Sequence, residues 1–236
     1  MTNASSKRVA IVQSCYLPWK GYFDLIGAVD EFIFYDDAQY TSGDWRNRNK
    51  VKTPSGLVWL TVPVHIKGRL GQRIRDAEIN GVEWQKKHWK TLRQYYSNAL
   101  YYKEISSILY PYYCERSYSS LSELNRLLTK DICEMLQINT KLSSSWDYQL
   151  VEGKTERVVS LCQQAGATEY ISGPSAKHYI DERQFREANI KLTWFDYSGY
   201  PQYPQLWGAF EHNVSIVDVL FNCGSDAKRY LKCGAI

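Results

Sequence analysis

The chain has 236 residues, enough for one sizeable buried core, and its 44% hydrophobic and 23% charged residues are ordinary for a globular protein. A net charge of +4 is too small to point to nucleic acid, and no apolar run is long enough for a signal peptide or a membrane span. A cytoplasmic protein without membrane insertion is the expectation.

"RVAIVQ" (8–13) is a β-rich run ending at a turn and predicts a buried strand. "WKGYFDLIGAVD" places Tyr22, Leu25, Ile26 and Val29 at helical spacing, with Pro18 near the first turn, where proline is tolerated. "EFIFYDD" (31–37) reads as a second strand. Strand, helix and strand in this order form a βαβ unit with parallel strands and a right-handed crossover. The texture then changes. From about 44 to 80 there are turn residues at "TPSG", an alternating run "LVWLTVPV" and eight Arg or Lys residues between Arg46 and Arg75. This predicts a basic excursion of two or three β-strands. From about 84 to 137, "WQKKHWKTLRQYYSNA", "YYKEISSILYPYY" and "SLSELNRLLTKDICEMLQ" predict amphipathic helices, the last capped by Ser120 or Ser122. "KLSSSW" predicts a strand, "GKTERVVSLCQQAG" a helix ending on glycine, "TEYISG" and "IKLTWF" two more strands, and "HNVSIVDVLFNCG" a last helix stopped by Gly224. Together these give one α/β domain over 1–236, with a mostly parallel sheet, a βαβ start, a basic β excursion and a helical insertion.

Ligands of open α/β sheets lie beyond the carboxyl ends of the strands. That rule brings "QSCYLPW" (13–19) together with Asp36 and Asp37 at the end of the second strand. The helix after Trp19 aims its N-terminus at the same space, which favours an anion such as phosphate. In "WRNRNK" (45–50) an extended backbone turns Arg46 and Arg48 one way and Asn47 and Asn49 the other. Arginine forks suit phosphate, although a solvated basic hairpin is the plainer reading. The 19 tyrosines and 8 tryptophans offer flat faces with polar handles, suited to sugars or bases, although most such residues simply pack. His88 shares a helix face with Trp84 and Leu92, where a packing histidine is commoner than a base. Four dispersed histidines and six scattered cysteines give no metal-ligand spacing, and the cysteines read as free thiols. No P-loop, dinucleotide-binding glycine pattern, nucleophile elbow or His-Glu-x-x-His helix occurs, so no cofactor is implied.

Several of these stretches carry a resemblance: "VAIVQSCYLPWKGYF", "FYDDAQY", "WRNRNKVK", "WLTVPV", "YISG" with Tyr179 after it, "YPQ" at 203–205 and "SIVDVLFNCG". In this order they resemble the WbqC-like family, found among bacterial O-antigen and other surface-polysaccharide biosynthesis proteins. The family's opening often reads His-Gln-Pro-x-Tyr-x-Pro-Trp. This chain has Val12 and Ser14 in place of the histidine and first proline, and keeps Gln13, Tyr16, Pro18 and Trp19. The resemblance implies work on a nucleotide-linked sugar, in a setting of amino sugars that carry amide-linked acyl or aminoacyl groups such as glycyl. It also implies a donor that is in some cases an acyl- or aminoacyl-carrier protein.

The expected site therefore holds Gln13, Tyr16, Trp19, Arg46, Asn47 and Arg48, with Tyr203 and Gln205 added by the resemblance. Asp37 or Asp36 is the candidate base for an N-acyl transfer, with His88 as alternate, and Asn47 or Arg48 supplies the oxyanion donors. Arg46 and Arg48 are expected to hold phosphate, and Lys67, Arg69, Arg73 and Arg75 to face an acidic carrier. Cys15, near a helix N-terminus but with no neighbouring histidine in sequence, is expected not to be a nucleophile. Two other readings compete: a sugar-nucleotide-binding or accessory protein without chemistry, and a nucleotidyltransferase-like enzyme.

Overall fold

The structure is a computed structural model that describes residues 6–234. Five strands form one parallel sheet: β1 (Arg8–Val12), β2 (Glu31–Phe34), β5 (Lys141–Ser144), β6 (Glu169–Ser172) and β7 (Lys191–Trp194). Their spatial order is β5-β2-β1-β6-β7. The chain winds outward from β1 in one direction and then, through β6, in the other. The order of winding thus reverses between β1 and β6, the place where doubly wound sheets open a crevice.

Alternation within the strands sorts the core. Ala10, Phe32 and Phe34 face one side, with α1 (Lys20–Gly27), α4 (Leu121–Met135) and α7 (Ile216–Cys223). Val9, Ile11 and Ile33 face the other, under α5 (Thr155–Gln164) and α6 (Glu182–Glu187).

The basic excursion is a two-stranded antiparallel hairpin, β3 (Arg48–Thr53) and β4 (Gly56–Thr61), closed by Pro54 and Ser55. Gly56 has φ +105, open to glycine, and the Thr53 hydroxyl donates to its carbonyl at 2.8 Å. The alternating run does not continue as strand past Thr61, because Pro63 lacks the N–H a ladder needs. Beyond it the described residues show isolated bridges, Val64 to Ile79, Gln39 to Arg73 and Glu78 to Ser120.

The helical insertion is α2 (Glu83–Tyr96), α3 (Tyr102–Tyr110), a wide turn at Pro111–Glu115, and α4. Trp84, His88, Leu92 and Tyr96 form the buried stripe of α2. Ser120 caps α4, its hydroxyl accepting from the Glu123 N–H at 3.2 Å. Gly224 ends α7 at φ +55, and a Cβ there would lie 2.2 Å from the Tyr101 ring, so no other residue fits. Among the described residues no helix is long and apolar enough to cross a membrane.

Candidate functional site

The loop that leaves β1 is clamped from two sides. The Tyr16 N–H donates to the Trp45 carbonyl at 3.0 Å. The Asn49 side chain, at the start of β3, donates to the carbonyls of Leu17 at 2.8 Å and Tyr16 at 3.4 Å. The hydroxyl of Ser215, the N-cap of α7, also donates to the Leu17 carbonyl at 2.8 Å. Leu17 sits at φ +43, a left-handed conformation that costs a non-glycine residue about 1–3 kcal/mol. Two donors, the Asn49 amide and the Ser215 hydroxyl, converge on its carbonyl and hold it there. Gly21 has a related role: a Cβ would lie 2.4 Å from the Trp19 indole, so glycine lets that ring fold back onto α1. The ring also packs on Tyr197 and Tyr200, with centroids at 5.4 and 5.6 Å.

This clamped loop, the hairpin and the segment before α7 enclose a cavity of about 230 Å³. It is lined by Cys15, Pro18, Trp19, Tyr22, Trp45, Asn49 and Asn213. The Arg46 guanidinium donates to the Cys15 sulfur at 2.8 Å and lies 3.7 Å from Asp44. Burial pushes the Cys15 thiol up to about 11, with Arg46 pulling the other way. The thiol is therefore protonated at neutral pH, within 3.6 Å of the Gln13 carbonyl, which also accepts from the Tyr22 hydroxyl at 3.1 Å.

The adjacent acids after β2 diverge. Asp36 is fully buried and accepts from the Ser14 N–H at 2.7 Å and from the Ser122 hydroxyl. Burial pushes its carboxyl upward while those hydrogen bonds oppose it. A proline at 14, as in the family's usual opening, would remove the first of these donors. Asp37 turns the other way, taking a hydrogen bond from Ser145 at 2.7 Å and pairing with Arg75 at 3.1 Å and Arg73 at 3.4 Å. Neither acid lines the cavity.

Tyr16 is also fully buried, its hydroxyl 2.9 Å from His88 Nδ1 and 2.6 Å from the Tyr113 hydroxyl. Burial pushes His88 down to about 4, a hydrogen bond to the Thr61 backbone opposing it only in part, so the ring is neutral. It borders a different groove, along Trp59, Trp84 and Thr91. Asn47 is buried and donates to the Val62 carbonyl at 2.8 Å. Arg48 lies over the Trp59 ring, 4.2 Å from its centroid. Tyr203 and Gln205 gather elsewhere, both donating to Asp218 at 2.7 Å beside the Tyr96 hydroxyl. Of the basic loop, Arg69 pairs with Glu78, and Arg73 with Asp76, each at 2.6 Å.

Of the residues singled out from sequence, the structure puts Trp19 in the cavity wall, Arg46 behind Cys15, and Gln13 and Tyr16 in the loop that shapes it. Asp36, Asp37, His88, Asn47, Arg48, Tyr203 and Gln205 lie outside its lining. Sequence reasoning missed Tyr22, Trp45, Asn49 and Asn213 as wall residues. Both Trp45 and Asn49 belong to the "WRNRNK" stretch, but strand pairing starts only at Arg48, so alternation could place Asn49 and not Trp45, which lies in the turn before β3. Asn213 had no local signal.

The model of the WbqC-like protein family matches residues 13–230. The uncharacterized protein Rv1507c of Mycobacterium tuberculosis is 58% identical over 226 residues, covering 96% of this chain and 98% of that protein. No solved structure matches the chain significantly. The family match takes in the clamped β1 loop, the hairpin and α7, all the elements that build the cavity, and the chain belongs to the WbqC-like protein family.

Proposed function

We propose that the protein transfers an acyl or aminoacyl group, such as glycyl, from an activated thioester to the amine of a nucleotide-linked amino sugar held in the cavity after β1. The observation that carries this reading is the cavity's wall chemistry. Trp19, Tyr22 and Trp45 offer flat faces for the apolar side of a sugar ring, and Asn49 and Asn213 bring amides within reach of its hydroxyls. Its volume, about 230 Å³, is below the ~300–1,000 Å³ of pockets that hold a whole drug-sized ligand, so it suits the sugar and leaves the nucleotide outside.

Aminolysis of a thioester asks little of a protein. The neutral amine attacks the carbonyl, a C–N bond forms, and the C–S bond breaks as the oxyanion collapses. The departing thiolate takes up the proton that the amine loses. Arg46, held behind the Cys15 wall of the cavity by that thiol and by Asp44, is the donor we assign to the oxyanion. Asp36 and Asp37 act at one remove, by fixing the ends of β1 and β2.

A second reading, a sugar-nucleotide-binding or accessory protein, is favoured by one observation: Asp36, Asp37 and His88 are all committed to internal partners outside the cavity. Mass spectrometry of nucleotide-linked amino sugars, incubated with the protein and a charged carrier, separates the two. The transferase reading expects the sugar nucleotide to gain the acyl mass. Binding without that gain supports the second.

A further inference from the structure

Next to the cavity, the hairpin and the turn that leads into it leave two large aromatic residues in solvent. Trp45 is 45% exposed and Trp59 is 40% exposed. Their centroids are 5.6 Å apart with the planes tilted by 39°, so the two rings pack on each other and present their outer faces to solvent. Two cations rest against Trp59, the Arg48 guanidinium at 4.2 Å and Lys50 Nζ at 4.9 Å from the ring centroid. Among the described residues neither forms an ion pair, and Arg48 Nε is buried without a hydrogen-bond partner. The one carboxylate in this cleft, Asp44, is paired with Arg46.

We propose that this cleft, bordered by the exposed faces of Trp45 and Trp59, binds the base and diphosphate of a nucleoside diphosphate whose attached sugar enters the adjoining cavity. Three features carry the assignment. The cleft measures about 280 Å³ and is lined by Gly43, Asp44, Trp45, Arg48, Lys50 and Trp59. It shares Trp45 with the cavity, so one ligand can run from one space into the other, and together they reach the ~300–1,000 Å³ of a ligand of that size. An exposed tryptophan face stacks any nucleobase, because every base has a π-face. A cation over an exposed ring is held weakly, whereas charge-assisted hydrogen bonds to phosphate are strong, so Arg48 and Lys50 are free to turn to an incoming diphosphate.

The assignment rests on reading the cavity as a sugar site, and its test is separable from that of the transfer. Isothermal titration of the full chain with UDP, dTDP, GDP and inorganic pyrophosphate is the measurement, with Trp59→Ala, Trp59→Phe and Arg48→Gln as variants. Trp59 is the discriminating residue because it lines the cleft and not the cavity. At least one nucleoside diphosphate is expected to bind the wild type. Trp59→Ala is expected to weaken it roughly 5- to 150-fold, the factor set by base–aromatic stacking, with pyrophosphate affinity unchanged. Trp59→Phe restores most of the loss, and Arg48→Gln weakens nucleotide and pyrophosphate alike. Binding that ignores both Trp59→Ala and Arg48→Gln, or no binding by any of the three nucleotides, overturns the proposal. Acyl transfer with a sugar-nucleotide KM indifferent to Trp59 removes the cleft and leaves the transferase. Trp59-dependent nucleotide binding without transfer does the reverse.

Discussion

At the amino ends of the strands, Glu31 of β2 is held by Lys7 at 2.7 Å and Lys141 at 3.0 Å, Asp30 by Arg8 at 3.1 Å, and Glu169 of β6 by Lys191 at 3.0 Å. Every one of these acids meets a cation from a neighbouring strand or from the segment leading into one. At the carboxyl ends only some cations are paired in this way, Arg75 and Arg73 with Asp37 and Arg46 with Asp44, while Arg48 and Lys50 lean on Trp59 and Arg126 on Trp146 at 4.9 Å. The most buried acid there, Asp36, is satisfied by a backbone N–H and a hydroxyl. One end pairs its acids with cations from the strands; the other also leaves positive charge against aromatic faces with no carboxylate partner among the described residues.

The contrast sharpens most at Arg46. If the carboxyl end is the working end, Arg46→Ala should lower transfer about 100- to 1,000-fold, the loss typical of one oxyanion donor. The fold should survive, because the backbone there is held independently by Asn125, which donates to the Arg46 carbonyl at 2.8 Å. Steady-state kinetics on a variant of unchanged circular dichroism is the measurement. A loss confined to KM would place Arg46 in substrate binding instead.

Asp36 tests the same end for stability. Asp36→Ala strands the Ser14 N–H and the Ser122 hydroxyl in the core, at about 1–3 kcal/mol each, so denaturant unfolding should show a loss of about 3 kcal/mol. A near-neutral result would mean that the β1 loop is held by its other clamps alone.

At the amino end the expected effect is on acid stability and not on turnover. Burial alone would raise the Glu31 carboxyl, but Lys7, Tyr148, Ser143 and Lys141 outweigh it and hold it at about 2, below its ordinary 4.5. A depressed carboxylate contributes stability that is fully present above pH 4.5 and is lost as pH falls toward 2. Glu31→Gln should therefore flatten the stability profile across that window. The effect should be about 1–2 kcal/mol, reduced from the full shift because Lys141 is solvent-exposed and Lys7 only half-buried, while kcat and KM stay as they are. A change in turnover would break the division between the two ends.

The contrast was only partly legible in the sequence. The βαβ opening, the parallel strands and the burial stripe of α2 follow from local periodicity, and all of them are present in the structure. The site is a tertiary product. Nothing near Cys15 in sequence announces Arg46, and Asn213 reaches the cavity only because the Ser215 cap of α7 docks on Leu17. The adjacent acids looked like a pair because sequence puts them side by side, yet successive residues leaving a strand point in opposite directions. Asp36 went to Ser14 and Asp37 to the arginines.

Cys15 should give the smallest effect. It lines the cavity and touches a guanidinium, which on proximity alone invites a covalent acyl-enzyme. The magnitude decides against it. With burial holding the thiol at about 11, only roughly one molecule in 10,000 carries a thiolate at pH 7, too few for an efficient nucleophile. Its role is to accept a hydrogen bond from Arg46 and so to aim that group. Cys15→Ala removes the acceptor but not the cation, and turnover should stay within about threefold of wild type. The pH profile gives an independent check. A thiolate mechanism gains tenfold in rate per pH unit below the thiol's pKa, so the wild type would steepen toward pH 10 and the variant would not. Superimposable profiles are expected. Turnover at background in the folded variant, together with an acyl adduct on wild-type Cys15 in intact-protein mass spectrometry, would make the thiol the nucleophile and Arg46 its activator.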